Sequence, residues 1–211
     1  MTLKEIRRAL AAARVGRSAQ ERMSPRPRPG DIFPMPDNPA GRQAAVLILL
    51  YEREGELYFF LTRRTETVGT HKGQISLPGG SKDANESLQA TALREAQEEL
   101  GIDPAHIEIL GAPLTPLFIP VSGFWVTAFV GYYSGEPTLS AAAAEVYEIL
   151  ATRLADVLDE NAIAEEEWEL RGYKVHVPFF RLHGYKVWGA TAMILAEFIS
   201  LLRVQGVDEN V

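Results

Sequence analysis

The sequence predicts an α/β domain in which helices layer against a mixed β-sheet around one hydrophobic core. Three observations predict it. The run QAAVLILLYE, residues 43–52, is almost continuously aliphatic, as a strand covered on both faces must be. Other strand-like runs are interspersed with a few helical patterns but keep no regular βαβ rhythm, which points to a mixed sheet. Finally, 211 residues that are 46% hydrophobic and 23% charged suffice for one well-buried core and are too few for two ordinary domains.

The elements follow in order. Leu3, Ile6 and Leu10 recur at helical spacing and predict a helix over 3–12 that packs on the body or on a second copy of the chain, giving a homodimer. The stretch MSPRPRPGDIFPMPDNP breaks that pattern and reads as a loop; its Arg26 and Arg28 are candidates to meet phosphates, against the plainer reading of a solvated connector. Residues 1–42 are therefore expected as a helix and Pro-rich arm, 43–205 as the domain and 206–211 as a tail. After QAAVLILLYE, the Glu54-Gly55 turn leads into LYFFLTRR, predicting a hairpin. ESLQATALREAQEEL reads as helix. HIEILGAPLTPLFIP, GFWVTAFVGYY, VYEIL and YKVHVPFF read as strands, and LADVLD and ATAMILAEFISLLRV as helices.

Composition excludes several functions. A formal charge of −7 argues against a broad grip on nucleic acid, which depends on clustered Lys and Arg. The absence of cysteine removes disulfides, thiolate metal sites and thiol catalysis, and suits a reducing compartment. The opening MTLKEIRRALAAARVGR lacks the apolar core of a secretory signal, so a cytoplasmic protein is expected. WGATAMILAEFISLL is apolar, but Glu197 interrupts it short of the roughly 20 residues of a membrane span.

One helix is electrostatically awkward. Asp83 or Asn85 is positioned to cap it, Glu86 falls in its first turn and Gly101 supplies a left-handed stop. Leu88, Ala92, Ala96 and Leu100 form the buried stripe, with Glu95, Glu98 and Glu99 together beside it. Each anion in the last turn faces the negative end of the helix dipole at a cost of about 0.3–1 kcal/mol. The Glu95/Glu99 pair adds about 0.2–0.5 kcal/mol, more than Arg94 returns as an exposed partner. A hard divalent cation, Mg²⁺ or Mn²⁺, would balance the cluster, since such ions take oxygen ligands. The plain alternative is a solvated acidic face. The adjacent LPGGSKD favours the cation, because its glycines let backbone approach a ligand closely.

Gly80, Glu86 and the run Arg94, Glu95, Ala96, Gln97, Glu98, Glu99, Leu100, Gly101, Ile102 together resemble the Nudix box, Gx5Ex7REUxEExGU. The resemblance implies a Nudix-type α/β/α sandwich around a mixed β-sheet and metal-dependent hydrolysis of a nucleoside diphosphate linked to another group. It further implies that Glu95, Glu98, Glu99 and the Gly80 carbonyl bind metal, that Arg94 orients the carboxylates, and that Glu86 supports the site or a further ion. The general base is either Glu98 or Glu145, the latter in AAAAEVYEIL. Upstream, FLTRRTETVGTHKGQISLPGG resembles the signature of the coenzyme A pyrophosphatase branch, and the likeness extends over residues 43–200. It departs at Leu77 and Thr65, and in lacking a basic residue near Val68. On this resemblance the expected substrate is coenzyme A or an acyl-CoA. ADP-ribose, a dinucleotide such as NADH or a dinucleoside polyphosphate is the alternative, and a non-catalytic nucleotide sensor a third reading. Arg63 and Arg64 are candidates to grip its phosphates, His71, Gln74 and Gly79 to bind it or shape the loop, and Phe124 and Trp125 to stack on its base.

Overall fold

The computed structural model describes residues 1–11, 15–27, 41–65, 73–140, 146–170 and 172–207. At its centre runs β1 (Arg42–Arg53), parallel to β7 (Phe124–Tyr133) and antiparallel to β2 (Glu56–Arg64). β1 and β2 pair only near their shared turn, Leu50 opposite Phe59 through Arg53 opposite Glu56. Toward the other end they part, and the short β3 (Ile75–Ser76) and β4 (Gly79–Ser81) stand between them, β3 on β2 and β4 on β1. That divergence positions the site. β5 (Ile107–Ile109) and β6 (Leu117–Ile119) pair with β7, and β8 (Val146–Arg153) pairs with β2. A second sheet is formed by β9 (Ile163–Leu170), β10 (Tyr173–Leu182) and β11 (Tyr185–Trp188) in the order β11-β10-β9.

The continuous aliphatic run of β1 reflects burial on both faces. Ala45, Leu47, Leu49 and Tyr51 face one cluster with Ala92, Ala96 and Leu100 of α3 (Leu88–Leu100). Ala44, Ile48 and Leu50 face the other, which includes Phe198 and Leu202 of the C-terminal helix α5 (Gly189–Val207). Helices on both faces of a mixed sheet make an α/β/α sandwich. α1 (Leu3–Ala11) and the short α2 (Arg17–Glu21) pack on α5, while α4 (Leu154–Leu158) follows β8. Ile6 and Leu10 join the larger core. Of the two places expected for this apolar face, the body or a second copy, it packs on the body.

Two sequence readings change. Ser87 caps α3 by accepting from the Ala90 N–H at 3.1 Å, in place of Asp83 or Asn85, and Glu86 stands before the cap rather than in the first turn. β9, whose glutamates obscure any apolar alternation, and β11 were not read as strands, nor α2 as a helix. The C-terminal helix is buried, Glu197 included: that side chain is fully buried, accepting from Gln20 Nε2 at 2.7 Å, Thr115 Oγ1 at 2.6 Å and the Thr115 N–H at 3.1 Å. Among the described residues no helix is long and apolar enough to cross a membrane.

Candidate active site

The acidic helix and the glycine segment are brought together by β1. Gly79 and Gly80 lie opposite Val46 and Ala45, and α3 packs across the same face of the strand through Ala92 and Ala96. Neither glycine has room for a side chain. A Cβ on Gly79 would collide with the Ala45 carbonyl and the Val46 backbone, whereas one on Gly80 would collide with the carboxylate of Glu95. Gly101 ends α3 in the left-handed conformation, φ 73°, as its sequence position predicts.

The three glutamates of α3 differ in their surroundings. Glu99 is buried, with 3% of its surface exposed, and accepts from the Gly79 N–H at 3.3 Å. Glu95 is nearly covered by β4, while Glu98 is open to solvent. Arg94 gathers them. Its Nη1 donates to Glu95 Oε1 and Glu98 Oε2, both at 3.0 Å, and its Nε and Nη2 donate to the two oxygens of Glu86 at 3.2 and 2.9 Å. Nη2 also donates to the Ser81 carbonyl at 3.1 Å, tying the helix to the end of β4. The expectation of Arg94 as an exposed partner is corrected: its side chain is 29% exposed and bridges three carboxylates. It reaches them because Glu86 precedes the helix and folds back, held also by the Asp83 N–H at 2.8 Å and Thr91 Oγ1 at 2.9 Å. The Arg94 guanidinium, followed by the Asp83 N–H, holds the Glu86 carboxyl down at about 2. In return, Glu86 above all raises the pKa of Arg94.

Among the described residues no three Asp, Glu or His side chains converge as a ready-made ligand group; Glu95 and Glu98 are turned to Arg94 and Glu99 to Gly79. The donor set nevertheless suits a hard divalent cation. It consists of carboxylate oxygens along one helix edge, and the absence of a Cβ at Gly80 seats the Glu95 carboxylate directly against the β4 backbone.

The other expected residues are dispersed. Arg63 lies at the far end of β2, opposite Ile75 of β3 and Glu148 of β8. Arg64 follows a bulge there and donates its N–H to the Gln74 carbonyl at 3.1 Å, so Gln74 is placed beside it by backbone. His71, Glu145 and Arg28 lie outside the described residues. Arg26 pairs with Glu165 of β9. Phe124 is covered by the Arg42 guanidinium, 4.1 Å from its ring, and Trp125 packs on Phe118 at 5.2 Å. Sequence reasoning missed Thr91 and the Ser81 carbonyl as partners in the Arg94 network, and Tyr147 and Tyr185 as neighbours of Arg63. Only Thr91, one turn ahead of Arg94 on the helix, carried a local signal.

The chain is similar to known proteins. The NUDIX domain model matches residues 41–175. A protein named uncharacterized Nudix hydrolase NudL from Enterobacter sp. (strain 638) is 38% identical over 157 residues, spanning 74% of this chain and 80% of that protein. Its namesake from Photorhabdus laumondii is 34% identical over 164 residues, 77% of this chain and 86% of that protein. Among solved structures, a MutT/nudix family protein from Enterococcus faecalis is similar with a TM-score of 0.53 at 19% identity, over 84% of this chain and 66% of that one, a likeness of fold.

Proposed function

Since the chain belongs to the Nudix hydrolase family, whose members act on pyrophosphate bonds of nucleoside diphosphate derivatives, we propose that its substrate is coenzyme A or an acyl-CoA. Cleavage gives 3′,5′-ADP and 4′-phosphopantetheine or its acyl form. The hydrolytic part of the reading is carried by one observation: Arg94 holds Glu86, Glu95 and Glu98 together at the β4 glycines, with Glu99 anchored on Gly79. The coenzyme A part is supported by FLTRR and GQISLPGG, which β2–β3 pairing sets side by side with Arg63 opposite Ile75. Arg64 and Gln74 meet at the same strand end.

In this mechanism Glu95, Glu98, Glu99 and the Gly80 carbonyl would hold Mg²⁺ or Mn²⁺. The ion, when bound, neutralises the pyrophosphate and lowers the pKa of a water. Everything else falls to the chain. Arg94 fixes Glu95 and Glu98 in place, and the buried Glu99 keeps its orientation through the Gly79 N–H. Water attacks one phosphorus, the bridging P–O bond breaks, and a carboxylate takes the water's proton. Glu98, the most open of the three, would serve as that base, with Glu145 as the rival. Arg64, beside Gln74 at the strand end, would neutralise further phosphate charge. Phosphoryl transfer asks for little beyond such positioning and charge stabilisation.

The test is identification of products from a substrate panel with Mn²⁺ present. Release of 3′,5′-ADP from coenzyme A is expected. Turnover of ADP-ribose, NADH or a dinucleoside polyphosphate with coenzyme A untouched would overturn the substrate, and binding without hydrolysis across the whole panel would favour a nucleotide sensor.

A further inference from the structure

Beside the strand end that carries Arg63, three elements distant in sequence build one stacked assembly. Arg63 of β2 places its guanidinium 4.8 Å from the ring centre of Tyr147 on β8 and 5.2 Å from that of Tyr185 on β11. These distances fall within the range of cation–π attraction. The assembly is pinned by hydrogen bonds: Arg63 Nη1 donates to the Tyr185 hydroxyl at 3.3 Å, which donates to Glu148 Oε2 at 3.1 Å. Glu148 lies opposite Arg63 in the β2–β8 ladder, so the chain of contacts closes on itself.

Tyr147 is 68% exposed, the most open of the large hydrophobic side chains among the described residues. Exposure alone says little, because single apolar side chains are ordinary on protein surfaces. Tyr173 is also open, at 51%. Tyr147 differs in having a fixed planar cation behind it, which orients its ring at no cost when a ligand arrives. With the guanidinium engaged by rings and by the Tyr185 hydroxyl, the surface presented outward is an aromatic face rather than a fork of N–H donors. Such a face takes a flat π-system, not a phosphate.

The location fits one end of a nucleotide. Ile75, opposite Arg63, precedes Gly79 by four residues, at most about 14 Å of extended chain, and Tyr147 stands across β2 from Ile75, two strand spacings or about 10 Å further on, so the platform lies within about 24 Å of the glycine segment. We infer that Tyr147, backed by Arg63 and held through Tyr185 and Glu148, is the platform on which the substrate's nucleobase stacks. This inference rests on the reading of the chain as a nucleotide hydrolase and adds where the base lies. It assigns Arg63 a role in supporting that platform, in place of a direct grip on phosphate.

The experiment compares two probes, ADP and inorganic pyrophosphate, binding to the full chain at fixed Mn²⁺ by calorimetry. Base–aromatic stacking predicts that Tyr147→Ala weakens ADP binding about tenfold and leaves pyrophosphate within about twofold. Tyr147→Phe, which keeps the ring, should bind ADP within about threefold of the unmodified protein. Tyr173→Ala, an exposed tyrosine elsewhere, should bind both probes unchanged. Equal weakening of both probes in Tyr147→Ala, unaltered ADP affinity, or failure of the unmodified protein to bind ADP would each overturn the platform. Turnover is scored separately. ADP binding that depends on Tyr147 without hydrolysis of any substrate would support the platform while sinking the hydrolase reading, and hydrolysis with an unchanged KM in Tyr147→Ala would do the reverse.

Discussion

Replacing Gly80 with alanine should disable the site while leaving the fold nearly untouched, and the same change one residue earlier should damage the fold. A Cβ at Gly80 would overlap all three carboxylate atoms of Glu95, the far end of a flexible side chain. Restoring ordinary contact, about 3.5–4.0 Å between carbon atoms, moves that carboxylate by roughly 1 Å. A misplacement of this size costs on the order of a hundredfold in rate. Stability should change by less than about 1 kcal/mol, because Gly80 does not stand in the left-handed region, and alanine also restricts the unfolded chain by about 0.4–1 kcal/mol. At Gly79 the Cβ would meet the backbone of Ala45 and Val46 in the central strand, where nothing can swing aside. Overpacking there should cost about 1–3 kcal/mol, lowering the unfolding midpoint by about 2–12 °C. Steady-state hydrolysis and thermal unfolding on both variants provide the assay. Gly80→Ala retaining more than about a fifth of the parent rate, or Gly79→Ala melting with the parent, would refute the packing of β4 against Glu95 and β1.

Four further outcomes are expected. Glu99→Gln, which keeps the shape of a side chain buried against Gly79, should cut turnover by about a hundredfold or more with little loss of stability, read from kcat and the melting midpoint. Chelation of divalent cations should abolish hydrolysis, and added Mg²⁺ or Mn²⁺ should restore it; full activity after chelation would dismiss the metal reading. Arg94→Ala removes the partner of Glu86, Glu95 and Glu98 together. It should lower kcat and also destabilise the fold by about 2–3 kcal/mol by denaturant titration, after allowance for the solvent-screened Glu98 contact. The pair formed by Arg7 of α1 and Glu108 of β5 should make stability fall in acid. Hydrogen bonding from Arg7 lowers the Glu108 pKa in the folded state, so the contribution is fully present above the ordinary carboxylate value and is lost as pH falls through the lowered one. Comparing Arg7→Met with the parent in unfolding runs from neutral to acid pH tests this, since the gap between them should close at the acid end.

Much of the site was legible because it is local. The spacing of Glu95, Glu98 and Glu99, the stripe of Ala92, Ala96 and Leu100 and the stop at Gly101 all lie within one helix, where position along the chain fixes position in space. β1 and its hairpin with β2 were legible for the same reason. What escaped depends on chain segments meeting across the fold. The difference between buried Glu99 and open Glu98 is set by β4, which packs over only part of the acidic face. Arg94's reach to Glu86 depends on Ser87 taking the cap, a choice that the cap-forming residues Asp83, Asn85 and Ser87, at every second position, leave open. β9 escaped because its outward glutamates overwhelm the weak signal of Trp168, whose ring meets Phe179 and Trp188 only once the second sheet has formed.

The bond between Gln20 and Glu197 bears on where this protein can be cut. The family match begins at residue 41, and that boundary invites trimming the chain to begin there. Doing so would remove the amide that seals a carboxylate inside the C-terminal helix, together with the α1 side chains that cover the neighbouring core. A shortened protein would leave the Glu197 carboxylate held by Thr115 without Gln20, beside a core stripped of its α1 cover, and would be expected to precipitate. Extensions at Met1, which is exposed, carry no such penalty. The family match stops at residue 41, while the packing of α1 and α2 continues the core beyond it.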